Sequence, residues 1–312
     1  MEFALMTEPQ MGGTYEDLLA AARYAGRAGL AAFARSDHYL SGGDPPAAAT
    51  DALASLAGLA RETRRIRLGV LMSPVTFRHP AVIAKTAATI DQMSGGRLDL
   101  GVGTGWMEHE HQAFGLPFPD WQERFDRLEE TLGYLRAAFG DQGGGFRGKH
   151  YRLHDIEVRP RPAGLRLLVG GSGAARTPRL AAAYADEYNQ LMAPAADVAQ
   201  RIATARRAAG ERGRDPTTLV FSVMGQVVVG RNEDSFRERL AAGAARRGRS
   251  PEEHEVRLRE RGIPMGTPAQ VAHTLAGLAE AGVEKLYVQH LDLSDISGLD
   301  ETFEVLLNSP SR

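Results

Sequence analysis

The segment IRLGVLMSPVTFRHPAVIAKTAATIDQMSGGRLDLGVGTGWMEHEHQAFGL, residues 66–116, constrains the fold more than any other part of the chain. It reads as a strand, an irregular turn, a helix, a tight turn and a second strand that leaves through glycines. Two strands joined by one helix in this order make a βαβ unit. Such a unit needs a parallel sheet to cover its apolar strands. Pro80 suits the first position of the helix, where a missing N–H costs nothing.

The same alternation runs through the rest of the 312 residues. Phe3–Met6 reads as a first strand. Thr14 then caps a helix with Asp17 three residues on, and Leu18, Ala21, Ala22 and Ala25 form its apolar face. Gly29 ends that helix. Leu30–Arg35 is the second strand, and an Ala-rich helix is expected over roughly 46–63. Ile66–Met72 and Arg97–Val102 are the third and fourth strands. A helix from Asp120 with Glu123 buries Phe125, Leu128, Leu132 and Leu135. Strands five to eight are Leu165–Val169, Glu187–Met192, Leu219–Val229 and Lys285–Gln289, with a helix capped at Thr267 before the last. Glu301–Leu307 closes the chain.

Eight β/α units without a Ser/Pro-rich linker predict a (β/α)8 TIM barrel, one domain over 1–312, rather than a doubly wound sheet. Three stretches interrupt the rhythm as insertions at the C-terminal face, at about 106–119, 141–163 and 243–265. In the second, Gly143, Gly144 and Gly145 read as a flexible loop and Tyr151–Val158 as a small hairpin. The third is charged, and reads as a solvated helix in preference to a lid.

Composition narrows function mainly by exclusion. There is no Cys, so disulfides and thiolate chemistry are excluded. A formal net charge of -2 gives no electrostatic case for nucleic acid. No apolar run approaches the roughly 18 residues of a membrane span. A cytoplasmic enzyme acting on a small molecule is the expectation.

A barrel places its chemistry at the C-terminal ends of the strands. Asp37 and His38 follow the second strand, and a His there can serve as general acid or base. Leu71, Met72, Ser73 and Pro74 follow the third; their backbone offers a ledge for a ring, or an ordinary turn. Gly101, Gly103, Thr104 and Gly105 lead to Trp106 after the fourth, where glycines permit close approach and the indole gives a flat wall. His109 and His111 diverge on a helix, and Glu108 with His111 has no second copy, so no metal is predicted; Glu110 is the member of this run most suited to face a pocket. Gly170, Gly171, Ser172 and Gly173 open a helix after the fifth strand and have the form of a phosphate loop, with Arg176 and Arg179 near by. Asn189 could meet a ring edge, and Gln289 and His290 end the last strand.

Together these residues resemble the luciferase-like monooxygenase superfamily, and within it the deazaflavin (coenzyme F420)-dependent oxidoreductases. The resemblance is carried by Ser36–His38, by Ser73–Pro80 with Ala84 and Lys85, by Ser94–Arg97 and Gly101–Trp106, by Glu110, His111 and Ala113–Gly115, and by Val169–Gly173 with Ala181, Ala182, Asp186 and Asn189. It implies a TIM barrel with insertions. It implies a non-prolyl cis peptide at Leu71–Met72 or Met72–Ser73 beneath the cofactor ring. Gly170, Gly171, Ser172 and Gly173 would hold the cofactor phosphate, and Asp37 and His38 would lie near the ring. His38, Trp106 and Glu110 are the expected catalytic residues. Asp37, Leu71, Met72, Ser73, Gly103, Thr104, Gly105, the phosphate loop and Asn189 are the expected cofactor contacts. A homodimer is usual among such proteins. FMN is the alternative cofactor, in a monooxygenase fed by a separate flavin reductase; a cofactor-binding protein without turnover is the third reading. The sugar-phosphate dehydrogenases of the group carry an acid where this chain has Trp106, and Lys occurs only at 85, 149 and 285. A more apolar organic substrate is therefore expected over a sugar phosphate.

Overall fold

In the computed structural model, eight parallel strands close into a barrel in strict chain order. The structure describes residues 1–41, 47–140, 144–293 and 295–308. The barrel strands are β1 Glu2–Thr7, β2 Ala32–Arg35, β3 Arg67–Pro74, β4 Leu98–Gly103, β5 Arg166–Gly170, β6 Glu187–Leu191, β7 Val220–Gly225 and β8 Lys285–His290. Closure is made by β1 pairing β8 along its whole length, Glu2 opposite Lys285 through Thr7 opposite His290, while also pairing β2. The predicted (β/α)8 barrel is the fold found.

Local chemistry sets the helices between them. Helix α1 (Tyr15–Arg27) has the predicted capping box between Thr14 and Asp17, which satisfies backbone N–H groups that the first turn leaves free. Helix α2 is Ala52–Glu62, capped by Asp51; of the stretch expected as helix, residue 46 lies outside the described residues. Helix α3 (Pro80–Ser94) starts on Pro80 and ends on Gly95, whose φ of +73° few other residues tolerate. Helices α4 (Glu108–Phe114) and α5 (Trp121–Phe139) follow β4, and α6 (Arg176–Tyr184) and α7 (Ala195–Glu211) follow β5 and β6. Helices α8 (Glu233–Ala245), α9 (Pro251–Glu260) and α10 (Pro268–Glu280) lie between β7 and β8, and α11 (Ser297–Asn308) comes last.

Outward-facing strand residues such as Leu5, Phe33, Leu68, Leu100, Leu167, Tyr188, Phe221 and Leu286 are fully or almost fully buried beneath these helices. Inside the barrel a smaller cluster of Ala4, Met6, Ala32, Ala34, Leu71, Leu168 and Tyr287 fills the lumen, with Met72 and Met224 against it. The strand starts carry charge instead. Asp99 lies between Arg67 (2.7 Å) and Arg166 (2.6 Å), and Lys285 meets Glu187 at 2.6 Å. This ionic layer forms the barrel floor.

Three expectations need correcting. The seventh strand does not run from Leu219 to Val229. It stops at Gly225, where a side chain would collide with Met192 at the end of β6. Val228–Val229 then pairs with Met265–Gly266 in a separate two-stranded sheet. The small hairpin does not lie within Tyr151–Val158: it pairs Gly144–Arg147 with Arg152–Ile156, so Gly144 and Gly145 are strand and not loop. Gly143 lies outside the described residues. The charged stretch 243–265 contributes the end of α8 and all of α9, which buries only His254 and Leu258 and turns its charged residues outward, the pattern of a solvated helix.

Candidate functional site

The strand ends at the barrel mouth bring together side chains far apart in sequence. Strand β2 exits beside β1, where Ser36 N–H donates to the Thr7 carbonyl at 3.0 Å. The chain then presents Asp37 and His38. Strand β4 exits through Gly103–Trp106 into α4, which carries Glu110 and His111 inward and leaves Glu108 and His109 outside.

His38 and Glu110, expected separately, form one unit. Nδ1–H of His38 donates to Glu110 Oε1 at 2.9 Å, and the other oxygen of Glu110 accepts from the Tyr39 N–H at 3.0 Å. Glu110 is 1% exposed and His38 lies mostly buried beside it. A carboxylate can only accept here, so Nδ1 carries the fixed proton and Nε2 is the atom that gains or loses one. Among the described residues Nε2 has no partner. Burial works against the charged ring, but the hydrogen bond and charge of Glu110 outweigh it, with Glu8 and Asp37 adding to the field. The pKa of His38 is raised above the ordinary imidazole value. Trp106 stands edge-on to the ring, centroids 5.4 Å apart, and is 69% exposed, so its indole is open to a ligand.

Asp37 reaches across to the β3 exit. It is buried and accepts from Ser73 Oγ at 2.7 Å and from both terminal nitrogens of Arg78, at 2.5 and 3.1 Å. Arg78 also donates to Asp51 and to Tyr39 Oη. Burial opposes charge on Arg78, but the two carboxylates hold its pKa well above normal; Asp51 is lowered despite its own burial, first by the Ala54 N–H and then by Arg78. Burial pushes Tyr39 up to about 12. Asp37 and Ser73 thus brace the β2 and β3 exits.

A non-prolyl cis bond lies between Leu71 and Met72, one of the two expected positions, where the β3–β4 register shifts. Leu71 is buried in the lumen and Met72 half-buried at its top. Gly101 and Gly170 make room for the Met72 side chain, since a Cβ on either would collide with it, and Gly103 lies in contact range. These glycines accommodate a methionine first. Gly105, at φ +76°, fits against Pro74 and Thr76, and its carbonyl accepts from Arg124 at 2.7 Å. Thr104 sits half-exposed between them.

Across the mouth, Gly171 has φ +142°, and Cβ atoms on Gly171 or Gly173 would press on Thr177 at 3.2 and 3.1 Å. Helix α6 starts with no side-chain cap, because its N-cap residue is Ala175; Ser172 Oγ, three residues earlier, accepts from the Leu191 N–H at 3.2 Å. Free N–H groups at an uncapped helix start, reached over glycines, suit a phosphate. Arg176 is held by Asp126 at 2.8 Å, and Arg179 is exposed. Asn189 is buried and donates to Ser222 Oγ at 2.8 Å, which orients it inside the barrel. His290 Nε2–H donates to the Asp295 carbonyl at 3.0 Å.

Sequence reasoning missed four participants. Glu8, at the exit of β1, accepts from Gln10 and Gln289, each at 2.7 Å, and Gln10 in turn accepts from Ser36 at 2.7 Å. The strand-end rule applied to β1 would have found Glu8. Tyr39 fell in a stretch of no clear period, and Asp51 inside the Ala-rich run expected as helix, where it proves to be the cap. His111 proves structural: Nδ1–H donates to the Met107 carbonyl at 2.8 Å and Nε2 accepts from Thr76 at 2.7 Å. Among the described residues no cluster of His, Asp and Glu could hold a metal ion, and no helix is long and apolar enough to cross a membrane.

Comparison with known proteins agrees with this architecture. Over 147 residues the chain is 36% identical to an F420-dependent glucose-6-phosphate dehydrogenase of Amycolatopsis mediterranei (strain U-32), covering 47% of this chain and 44% of the relative. Over 199 residues it is 31% identical to the pyrimidine monooxygenase RutA of Escherichia coli O139:H28 (strain E24377A / ETEC), covering 61% and 49%. The chain thus matches less than half the length of these curated relatives. Among solved structures, monooxygenase RslO1 from Streptomyces bottropensis superposes with a TM-score of 0.82 over 99% of this chain and 98% of that one, at 21% identity. An F420-dependent secondary alcohol dehydrogenase in complex with an F420-acetone adduct gives 0.80 over 99% of both chains, at 20% identity. At such identities the likeness is one of fold. The family model described as luciferase-like monooxygenase matches residues 1–285, and the chain belongs to that family.

Proposed function

We propose that the chain is an oxidoreductase that transfers a hydride between coenzyme F420 and a small organic substrate. The observation that carries this reading is the His38–Glu110 pair. It leaves a proton-carrying Nε2 free at the mouth, beside an exposed indole and across from an uncapped helix start. The F420-dependent relatives support the deazaflavin over FMN. The pyrimidine monooxygenase relative favours the alternative, an FMN enzyme using O2 with a separate reductase.

The residues present fit such a cofactor. Its phosphate would be held by Gly171, Ser172 and Gly173 and the start of α6, and its ring would lie over Met72. The bound cofactor would supply the hydride chemistry. The chain supplies position and protons. Glu110 fixes the ring of His38 and favours its charged form, so Nε2–H is ready to donate to an oxygen gaining charge on the substrate, and accepts that proton in the reverse direction. Trp106 forms the open wall of the substrate space and excludes water from one side of His38. Arg78 fixes the loop that carries His38 through Asp37, Tyr39 and Asp51.

Titrating the purified protein with F420 and with FMN, following quenching of cofactor fluorescence, tests the assignment. Tight F420 binding is expected. Tight FMN binding with no response to F420 contradicts it, and binding of either cofactor without turnover over a broad alcohol and carbonyl panel supports a binding protein instead.

A further inference from the structure

Glu8 is a carboxylate at the mouth that no role above absorbs. It is 8% exposed, at the exit of β1. Both of its oxygens accept from neutral amides, Oε2 from Gln10 and Oε1 from Gln289, so its hydrogen bonds leave its charge in place, and the Arg35 guanidinium feels that charge from beneath. The same contacts fix its place. Gln10 accepts from Ser36, two residues before His38, and the Ser36 N–H is anchored to Thr7, one residue before Glu8. The exits of β1 and β2 are therefore tied side by side, with Glu8 on one and His38 on the other.

The other groups around His38 leave Glu8 a distinct part. From α4, Glu110 touches the ring directly. From the same loop, Asp37 is neutralised by Arg78, which Asp51 shares. From the β4 exit comes Trp106, which is uncharged. From the β8 exit comes Gln289, also uncharged and already donating to Glu8. Arg35 is fully buried beneath and donates to Ser36 O, Thr50 and Ser55. Of the described carboxylates named here, Glu110 and Glu8 form no hydrogen bond to an arginine.

We propose that Glu8 is a positioning residue for His38, a second carboxylate that with Glu110 keeps the imidazole charged across the mouth. An unscreened carboxylate in a partly buried setting acts over several ångströms, which direct contact is not needed to achieve. The two glutamines make this possible, because they satisfy the hydrogen-bonding capacity of Glu8 without cancelling its charge. The role rests on the reading of His38 as the proton carrier, but it concerns the ring's charge alone and can be tested without cofactor or substrate.

The test is a histidine-labelled NMR titration of the whole chain, with the His38 signal assigned by its loss in His38→Gln. In Glu8→Gln the His38 midpoint should move to lower pH than in the unmodified protein. In Glu8→Asp, which keeps the charge and alters the packing, it should stay closer to the unmodified value. An unmoved midpoint in Glu8→Gln overturns the proposal. So does an equal fall in both variants, which would mean that the side chain acts through packing. Failure of F420 binding would leave these outcomes unaffected, so the two readings fail separately.

Discussion

The two ends of the barrel both bury charge, and they balance it in opposite ways. At the floor, Asp99 lies between Arg67 and Arg166, and Lys285 faces Glu187; each carboxylate has a Lys or Arg partner on a neighbouring element. At the mouth, Glu8, Asp37, Asp51 and Glu110 face Arg35 and Arg78, and Arg35 spends its bonds on hydroxyl and carbonyl oxygens. The remaining positive charge falls to His38, an imidazole, whose charge changes near neutral pH. A floor of fixed pairs closes a barrel. A mouth with a surplus of carboxylates holds a proton that can be given and retrieved.

The comparison can be broken most severely at either end by a single change. Glu187→Ala strands the ammonium of Lys285, which is 1% exposed, and should cost about 3–5 kcal/mol, read as a fall in the denaturant midpoint. An unchanged midpoint would mean that the floor pair contributes nothing beyond packing. At the mouth, His38→Ala should lower turnover roughly 10²–10⁴-fold while leaving cofactor affinity near that of the unmodified protein. Collapse of cofactor binding instead would recast His38 as part of the binding surface. Gly171→Asp places a carboxylate on a residue at φ +142° beside the uncapped start of α6; cofactor affinity should fall by about tenfold or more, about 1.4 kcal/mol, in the same fluorescence titration.

The smallest expected effect is in stability against pH. The folded state raises the pKa of His38, so its contribution is fully present below the unfolded value near ~6.5 and fades as pH rises through the folded one. Unfolding of the unmodified protein and of His38→Gln should therefore differ most at the acid end of a series from pH 5 to 9 and converge at the alkaline end. Divergence toward alkaline pH would have the wrong sign.

Much of the frame was legible because its signals are local. Thr14 with Asp17, Pro80 at a helix start and Gly29 after a helix end each declare themselves within four residues. The strand order followed from the regular alternation. The seventh strand misled because FSVMGQVVV is apolar but for Ser222, Gly225 and Gln226, and the partner that takes Val228–Val229 into a separate sheet, Met265–Gly266, lies 37 residues on. The site divides along the same line. The strand-end rule located Asp37, His38, Met72 and the glycines after β5. It could not show that Glu110 reaches back across 72 residues to His38, that Asp37 pairs with Arg78, or that Gly101 and Gly170 give way to Met72. Those are pairings, and a strand-end pattern carries position without partner.

The mouth, unlike the floor, keeps its charge balance on a titrating group. The most direct measurement is the NMR titration of His38 in the unmodified protein, set beside Glu110→Gln. A midpoint above the ordinary imidazole value of about 6.5, falling when Glu110 is neutralised, is the predicted result. A midpoint at or below that value, unmoved by Glu110→Gln, would contradict it.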